Sequence, residues 1–210
     1  MQTSHVRIRD YADSDYEACE TLVNRAWDFD KHFAPQALSD LAKCMYTKGS
    51  VIGSNFKKVV EVDGSVAGFL FGFNEMSEKP KKQARFGWHV LRTLLFMKGM
   101  GFKEKLSLLS AINRHEANRI KIVGRGRSEI VLFVVSPEYQ GYGYGTNLLS
   151  MFVEYCCGSS VGSLIVETNK LGASGFYEQH GFKHIGDFDS PLHDYVTKGG
   201  QPCIYEYRCE

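Results

Sequence analysis

The stretch 129–149, EIVLFVVSPEYQGYGYGTNLL, decides how the rest of the chain is interpreted. Glu129 to Val135 is rich in β-branched and aromatic residues, which predicts a buried strand. Pro137 ends this strand because proline has no N–H to donate to a sheet. Three glycines at alternate positions follow, and an apolar helical pattern begins at Thr146. The stretch therefore predicts a strand, a glycine-rich turn and a helix.

The glycine-rich turn predicts a binding site for an anionic, phosphate-bearing ligand. Glycines let the backbone approach a ligand closely, and the first N–H groups of a helix bind phosphate oxygens with the help of the helix dipole. A Walker loop fails because Thr146-Asn147 stands where Lys-Ser/Thr is needed. A dinucleotide-binding fingerprint is a weak match because the run is G-x-G-x-G and lies past the middle of the chain. A glycine-rich turn without a ligand is the plainest alternative.

Two motifs resemble those of a known family, and together they cover about residues 129 to 185. The glycine run resembles the acetyl-CoA signature Q/R-x-x-G-x-G/A of the GCN5-related N-acetyltransferases. A second motif resembles the family's N-x-x-A-x-x-F-Y-x-x-x-G-F, with one extra residue between Asn169 and Ala173. The first signature rests on Gln140, Gly143 and Gly145, and the second on Asn169, Ala173, Phe176, Tyr177, Gly181 and Phe182.

The resemblance implies that acetyl-CoA binds as the acyl donor. It implies backbone N–H donors near the end of the predicted strand, which would hold the pantetheine amide and the thioester carbonyl. The cofactor-binding residues expected from it are Val134, Val135, Gln140, Gly141, Tyr142, Gly143, Tyr144, Gly145, Thr146, Asn169 and Tyr177.

Three side chains are candidates for the chemistry of amine acetylation. The resemblance implies that Tyr177 donates a proton to the departing thiolate. It also implies that Glu129, at the start of the strand, is a general base, because an ammonium must lose a proton before it attacks. Glu167, which follows a short apolar run, is a second candidate base or a binding group for the acceptor's ammonium. Each also has a structural interpretation, as a packed tyrosine or a carboxylate at a strand end.

The remaining elements predict an α/β fold. A half-buried strand at His5 to Arg9 is followed by helices from Tyr16 to Trp27 and from Pro35 to about Tyr46, with Gly49 as a stop. Asp63-Gly64 predicts a hairpin between two strands. With the resemblance, this order predicts a mixed, mostly antiparallel sheet that is splayed between strands 4 and 5, with helices on both faces. We expect a single domain over residues 1–210.

A basic insertion at about 78–128 departs from the family's usual order. Between Lys79 and Arg127 it contains thirteen Lys and Arg residues against two Glu, although the whole chain carries a net charge of only +1. Trp88 to Phe96 and Glu104 to Asn118 predict two amphipathic helices. The insertion is interpreted as a solvated face, a lid or a homodimer contact. It could alternatively steer the anionic cofactor, hold an acidic acceptor, or contact a membrane surface or nucleic acid.

Composition limits the cellular setting and the metal chemistry. The near-neutral charge argues against a nucleic-acid binder, and no apolar run reaches the length of a membrane span. No signal peptide is recognisable, so we expect a cytoplasmic protein with all six cysteines reduced. His180 and His184 have no metal-ligand spacing and are expected at the surface, and no metal site is predicted.

The function expected is N-acetyl transfer from acetyl-CoA to a primary amine by direct attack on the thioester. The acceptor is expected to be a small molecule or a peptide, and the sequence does not identify it. Two alternatives stay open: a catalytically silent acyl-CoA-binding sensor, and an interaction protein that uses the basic insertion.

Overall fold

A seven-stranded mixed sheet lies at the centre of the computed structural model, which describes residues 5–196 and 201–209. The strand order is β1-β2-β3-β4-β5-β7-β6, and every neighbouring pair is antiparallel except β4 and β5. The strands are β1 (Val6–Asp10), β2 (Phe56–Val62), β3 (Ser65–Phe73), β4 (Glu129–Val135), β5 (Ser163–Asn169), β6 (Lys183–Asp187) and β7 (Pro202–Arg208).

Eight α-helices are found in the described residues, and they cover both faces of the sheet. On one face the first helices pack through Val23 and Phe29 against Phe69 and Phe71 of β3. On the other face the sixth helix buries Phe152. The helices are α1 (Tyr16–Trp27), α2 (Phe29–His32), α3 (Gln36–Gly53), α4 (Gln83–Phe96), α5 (Phe102–Val123), α6 (Tyr144–Cys157), α7 (Ser174–Gln179) and α8 (Pro191–Val196). The predicted α/β class is confirmed.

The predicted hairpin and the predicted splay are both present. Asp63 and Gly64 join β2 to β3 with φ angles of 49° and 83°, which is the combination that a tight hairpin turn requires. β4 pairs with β5 only where Glu129 lies opposite Ile165 and Ile130 opposite Val166. Beyond these pairs the two strands separate, so a gap opens beside the second half of β4.

The helix that follows Pro35 is longer than predicted. Gly49 was expected to end it, but α3 continues to Gly53. A Cβ on Gly49 would lie 3.1 Å from Cε1 of Phe86, so the missing side chain makes room for α4. Tertiary packing therefore accounts for a glycine that the local pattern indicates as a stop.

The basic insertion forms the two predicted helices, and both are longer than expected. α4 begins at Gln83 and α5 continues to Val123. Leu94 of α4 and Leu108 of α5 are buried together against Leu38 and Leu41 of α3. At its far end α5 packs through Val123 against Ile165 and Ile204 of the sheet.

Two further predictions need correction. Cys157 and Cys209 form a disulfide that joins the end of α6 to the end of β7, so the expectation of six reduced thiols is wrong. Neighbouring Cys156 is instead a free thiol buried in the core. Between β6 and β7, the residues Pro191, Gly199, Gly200 and Pro202 predict a loop, but Pro191 begins the short helix α8; Gly199 and Gly200 lie outside the described residues.

Candidate active site

The glycine-rich turn brings the start of α6 to the end of β4. Gly141 and Gly143 have φ angles of +83° and +81°, which side-chain-bearing residues rarely adopt, and Gly143 is the N-cap of the helix. A Cβ at either position would meet no atom within 4 Å, so the backbone faces open space. The first N–H groups of a 14-residue helix therefore point out of the turn, where they can bind an anion.

A cavity of about 680 Å³, which we call the glycine cleft, lies between this turn and α7. None of the described residues that line it is Asp, Glu, Lys or Arg, so backbone N–H groups and the helix dipole supply its polarity. Of the predicted cofactor-binding residues, it is lined by Val134, Val135, Gln140, Gly141, Gly143, Gly145, Thr146 and Tyr177.

Three predicted cofactor residues lie elsewhere. Tyr142 is exposed, and its ring stacks on Tyr144 at 5.9 Å outside the lining of the cleft. Asn169 lines the neighbouring cavity, where its Oδ1 accepts a hydrogen bond from the Leu171 N–H at 2.9 Å.

His180 was expected at the surface but is half-buried in the glycine cleft, and its Nε2 lies 3.0 Å from Thr146 Oγ1. His184 is exposed as expected.

The splayed edge of β4 presents backbone donors to the glycine cleft. Ser136 N donates to Ala67 O of the β3 side at 2.8 Å. Because N–H groups alternate along a strand, the Val134 N–H also faces β3, whereas the Val135 N–H faces the gap beside β5. Gln140 Nε2 donates to Val135 O at 3.2 Å, which ties the glycine turn to this edge.

A second cavity of about 710 Å³, which we call the carboxylate cavity, opens on the other side of the splay. It shares six lining residues with the glycine cleft, namely Ala26, Trp27, Phe133, Gly172, Ala173 and Tyr177. Four carboxylates, one guanidinium and three imidazoles line it; these belong to Asp28, Glu116, Glu129 and Glu167, to Arg119, and to His32, His115 and His193.

Arg119 of α5 joins the two predicted bases. Its Nε forms an ion pair with Glu167 Oε2 at 3.1 Å, and its Nη2 donates a hydrogen bond to Glu129 Oε2. The Arg119 side chain is only 16% exposed and those of the two glutamates 27%. His115, one turn earlier on α5, places its Nε2 3.6 Å from Glu167 Oε2. The basic insertion thus contributes a cation to the centre of this cavity.

Burial controls the protonation of these groups. It raises the pKa of Glu167 to about 7, with Arg119 opposing the shift and Glu129 reinforcing it. Burial also raises the pKa of Glu129 and lowers that of His115, which Arg119 lowers further. Glu167 is therefore a carboxyl group that changes its charge near neutral pH.

Tyr177 lies where the two cavities meet. It is 4% exposed, and its ring packs against Phe176 and Phe182. Its hydroxyl has no hydrogen-bond partner among the described residues, and burial raises its pKa, so the phenol stays protonated. The predicted catalytic residues Tyr177, Glu129 and Glu167 are thus brought together around one splay.

Sequence reasoning missed Arg119, His115 and Trp27. His115 and Arg119 are spaced i, i+4, which places them on one face of α5, and this spacing is a signal that the total charge of the insertion obscured.

Among the described residues, no three His, Cys, Asp or Glu side chains are grouped to hold a metal ion. In the same part of the chain, no helix has the length and apolar character needed to cross a membrane.

Comparison with known proteins supports this picture. Residues 111–184, from the middle of α5 to β6, match the family model described as "Acetyltransferase (GNAT) domain". No curated protein sequence matches the chain significantly.

Similar folds occur in several solved structures. PH1933 from Pyrococcus horikoshii OT3 is 16% identical with a TM-score of 0.61, and the match covers 98% of this chain and 99% of that one. An acetyltransferase assigned to the GNAT family, from Desulfovibrio desulfuricans, is 15% identical with a TM-score of 0.55 and covers 98% and 100%. Protein yncA from Salmonella typhimurium, solved with its cofactor acetyl-CoA, is 15% identical with a TM-score of 0.53 and covers 98% and 94%. The family model over residues 111–184 and the fold shared with these solved structures support the predicted resemblance to the GCN5-related N-acetyltransferases.

Proposed function

We propose that this protein transfers an acetyl group from acetyl-CoA to a primary amine by direct attack of the amine on the thioester. The observation that carries the proposal is the position of Tyr177, which lines both the glycine cleft and the carboxylate cavity. A donor held in one cavity and an acceptor held in the other would meet at this side chain.

The glycine cleft fits the acyl donor. The N–H groups at the start of α6 suit its pyrophosphate, since they need no positively charged side chain to bind an anion. The Val135 N–H, which faces the splay, suits the thioester carbonyl oxygen, on which negative charge develops during attack. Such a backbone donor typically contributes about 10²–10³-fold to the rate. Tyr142 and Tyr144 were predicted to bind the cofactor, but neither lines the glycine cleft, so we assign them no contact with the acyl donor.

Glu167 is the base we favour. A primary ammonium has a pKa of about 10.4 and must lose a proton before its nitrogen can attack. A base works best when its own pKa is near the working pH, and the pKa of Glu167 is about 7. Glu129 is bound to Arg119 in a charge-assisted hydrogen bond, so we assign it to holding Arg119 and the acceptor's positive charge.

Tyr177 is proposed as the acid that protonates the departing thiolate. Its buried phenol remains protonated, and its hydroxyl is not engaged by another described residue. The proton that the amine gives up reaches Glu167, and the proton that the thiolate gains comes from Tyr177. Between turnovers, Glu167 releases its proton to solvent and Tyr177 regains a proton from solvent.

The charge of the carboxylate cavity favours a cationic acceptor. Its four carboxylates outnumber the single guanidinium, and the pKa of His115 is lowered, which keeps this imidazole neutral. An amine with a second positive charge, in a small molecule or a peptide, matches this surface better than an acidic acceptor. A cytoplasmic location stays a prediction.

The test is release of free thiol from acetyl-CoA in the presence of diamines, amino acids and lysine-containing peptides. We expect release with a cationic amine and a loss of about 10²-fold or more in kcat for Tyr177→Phe, with acetyl-CoA affinity unchanged. Tyr205→Phe is the matched control, because Tyr205 is also buried but donates to Glu178 at 2.7 Å outside both cavities. If acetyl-CoA binds and no amine causes release, the protein is an acyl-CoA sensor instead.

A further inference from the structure

The basic insertion exposes large apolar side chains around the turn that joins α4 to α5. Phe96 is 81% exposed, Trp88 70% and Phe102 69%, and Leu95 and Leu106 are exposed by nearly half. Isolated exposed apolar residues are ordinary, but five around one helix–turn–helix segment expose enough apolar surface to indicate an interaction site.

On each helix these side chains lie on the side away from the packed core. On α4, Trp88, Leu95 and Phe96 are spaced i, i+7 and i+8, opposite the buried Leu94 face that packs on α3. On α5, Phe102 and Leu106 are spaced i, i+4. Lys105 Nζ donates to the carbonyl oxygens of Leu95 and Met97 at 2.9 and 2.7 Å, which holds the start of α5 against the end of α4. We call Trp88, Leu95, Phe96, Phe102 and Leu106 the hairpin face.

The hairpin face is bordered by positive charge. Between residues 81 and 106 the chain has seven Lys and Arg residues and one acid, Glu104. Glu104 accepts a hydrogen bond from Gly101 N at 2.7 Å and caps α5. Lys105 is buried with its ammonium on the two carbonyls. The six exposed cations are Lys81, Lys82, Arg85, Arg92, Lys98 and Lys103.

We propose that the hairpin face docks the protein on an anionic lipid surface. Aromatic and aliphatic side chains enter the boundary between headgroups and acyl chains, while Lys and Arg bind the lipid phosphates and carboxylates, and each such cation contributes about 1 kcal/mol. The combination of Trp, Phe and Leu with six exposed cations, of which Lys81 pairs with exposed Glu78, is complementary to such a surface.

Two other occupants fit less well. A second copy of the chain, paired face to face about a twofold axis, would bring its six cations against the same six. Nucleic acid would use the cations and could stack on the aromatic rings, but it offers no apolar environment for Leu95 and Leu106.

Docking leaves the candidate active site accessible. Phe102 at the start of α5 and His115 in the carboxylate cavity are about 20 Å apart along the helix, given a rise of about 1.5 Å per residue. The lipid surface would thus lie at one end of α5 and the reaction at the other.

The test is sedimentation of the full chain with vesicles of phosphatidylcholine, with and without about 30% phosphatidylserine. We expect binding only to the anionic vesicles, a decrease with added salt, and a blue shift of Trp88 fluorescence that is absent in Trp88→Phe. Equal binding to both vesicle types, or binding to neither, would overturn the proposal.

Substitutions on the hairpin face distinguish lipid binding from binding to a second copy of the chain or to nucleic acid. Trp88→Gln combined with Phe96→Gln, and Arg85→Glu combined with Arg92→Glu, should each weaken vesicle binding by about tenfold or more. The matched controls are Leu171→Gln, at an apolar residue that is 83% exposed, and Lys183→Glu, at an exposed lysine on β6; both should bind like the original protein. If the protein forms a dimer that the hairpin-face variants dissociate, a second copy of the chain occupies this face. If the protein binds duplex DNA more tightly than vesicles, nucleic acid occupies it.

Discussion

Arg119 Nε forms an ion pair with Glu167 Oε2 at a distance of 3.1 Å and so connects the basic insertion to the end of β5. The same guanidinium donates to Glu129, the first residue of β4. One cation therefore sits between two carboxylates on strands that diverge from this point. This cation opposes the rise that burial causes in the pKa of both glutamates.

Removal of Arg119 should shift the pH dependence of the reaction. Without the cation, the pKa of Glu167 rises above about 7, because Arg119 opposes the effect of burial. In Arg119→Met, we expect the rising limb of kcat/KM against pH to move up by about one pH unit. We also expect a loss of stability of about 1–3 kcal/mol, because two partly buried carboxylates lose their partner. Arg119→Lys, which keeps the charge, should retain most of the original profile; a limb that stays in place in Arg119→Met would show that Glu167 is not the titrating group.

Glu167 should make the folded protein less stable as pH rises. Its folded pKa of about 7 lies above the usual value of 4.5, so the folded state holds this proton more tightly than the unfolded state. The group is neutral in both states below pH 4, and its burial penalty develops between about pH 4.5 and 7 and is complete above that, at up to about 3 kcal/mol. Glu167→Gln should therefore be more stable than the original chain at pH 8 by about 1–3 kcal/mol and no more stable at pH 4.

Urea unfolding at the two pH values provides the measurement. The same variant should lose about 10²-fold in kcat/KM, because the proposed base is gone. Glu206→Gln is a useful comparison, since Arg127 lowers the pKa of Glu206 and its substitution should cost stability at high pH. Loss of stability at pH 8 in Glu167→Gln would contradict a raised pKa at this site.

A negative charge placed at the start of α6 should weaken acetyl-CoA binding. Gly143 has a φ of +81° and a Cβ there would point into open space, so an aspartate can be accommodated next to the phosphate site. Asn and Asp tolerate this backbone conformation about equally well and differ mainly in charge. We expect Gly143→Asp to weaken acetyl-CoA binding by about 10²-fold or more, and Gly143→Asn by much less. Calorimetry with acetyl-CoA measures both, and equal affinities would remove the helix N-terminus from the site.

The disulfide between Cys157 and Cys209 should stabilise the fold. It closes a loop between residues 52 positions apart, and loops of this size typically gain about 2–4 kcal/mol from a crosslink. Dithiothreitol should lower the melting temperature of the original chain and leave that of Cys209→Ser unchanged. Cys44→Ser, at a free and partly buried thiol, is the control that should respond to the reductant like the original protein.

Thiol titration of the unfolded chain gives an independent check. Of the six cysteines, two are joined, so four should react without reductant and six after reduction. Six reactive thiols before reduction would show that the two cysteines are not joined under the conditions used.

Local sequence predicted the elements that local interactions determine. The apolar run of β4, Pro137 and the glycines of the turn each act through their own backbone or nearest neighbours, so their pattern indicates strand, turn and helix directly. The Asp63-Gly64 hairpin was predicted for the same reason. Gly49 was misinterpreted because its role depends on Phe86, a residue of a different helix.

The same distinction between local and tertiary interactions applies to the candidate site. The sequence by itself determined the strand, the glycine turn, the α6 N-terminus and the identities of Tyr177, Glu129 and Glu167 as candidates, because spacing and side-chain chemistry are written in the chain. Only the tertiary structure decided that Arg119 meets both glutamates, that Tyr177 lies between two cavities and that Cys157 meets Cys209. Those contacts join residues distant in sequence, and the resulting burial, which sets the pKa of Glu167, exists only once the sheet and α5 have packed together.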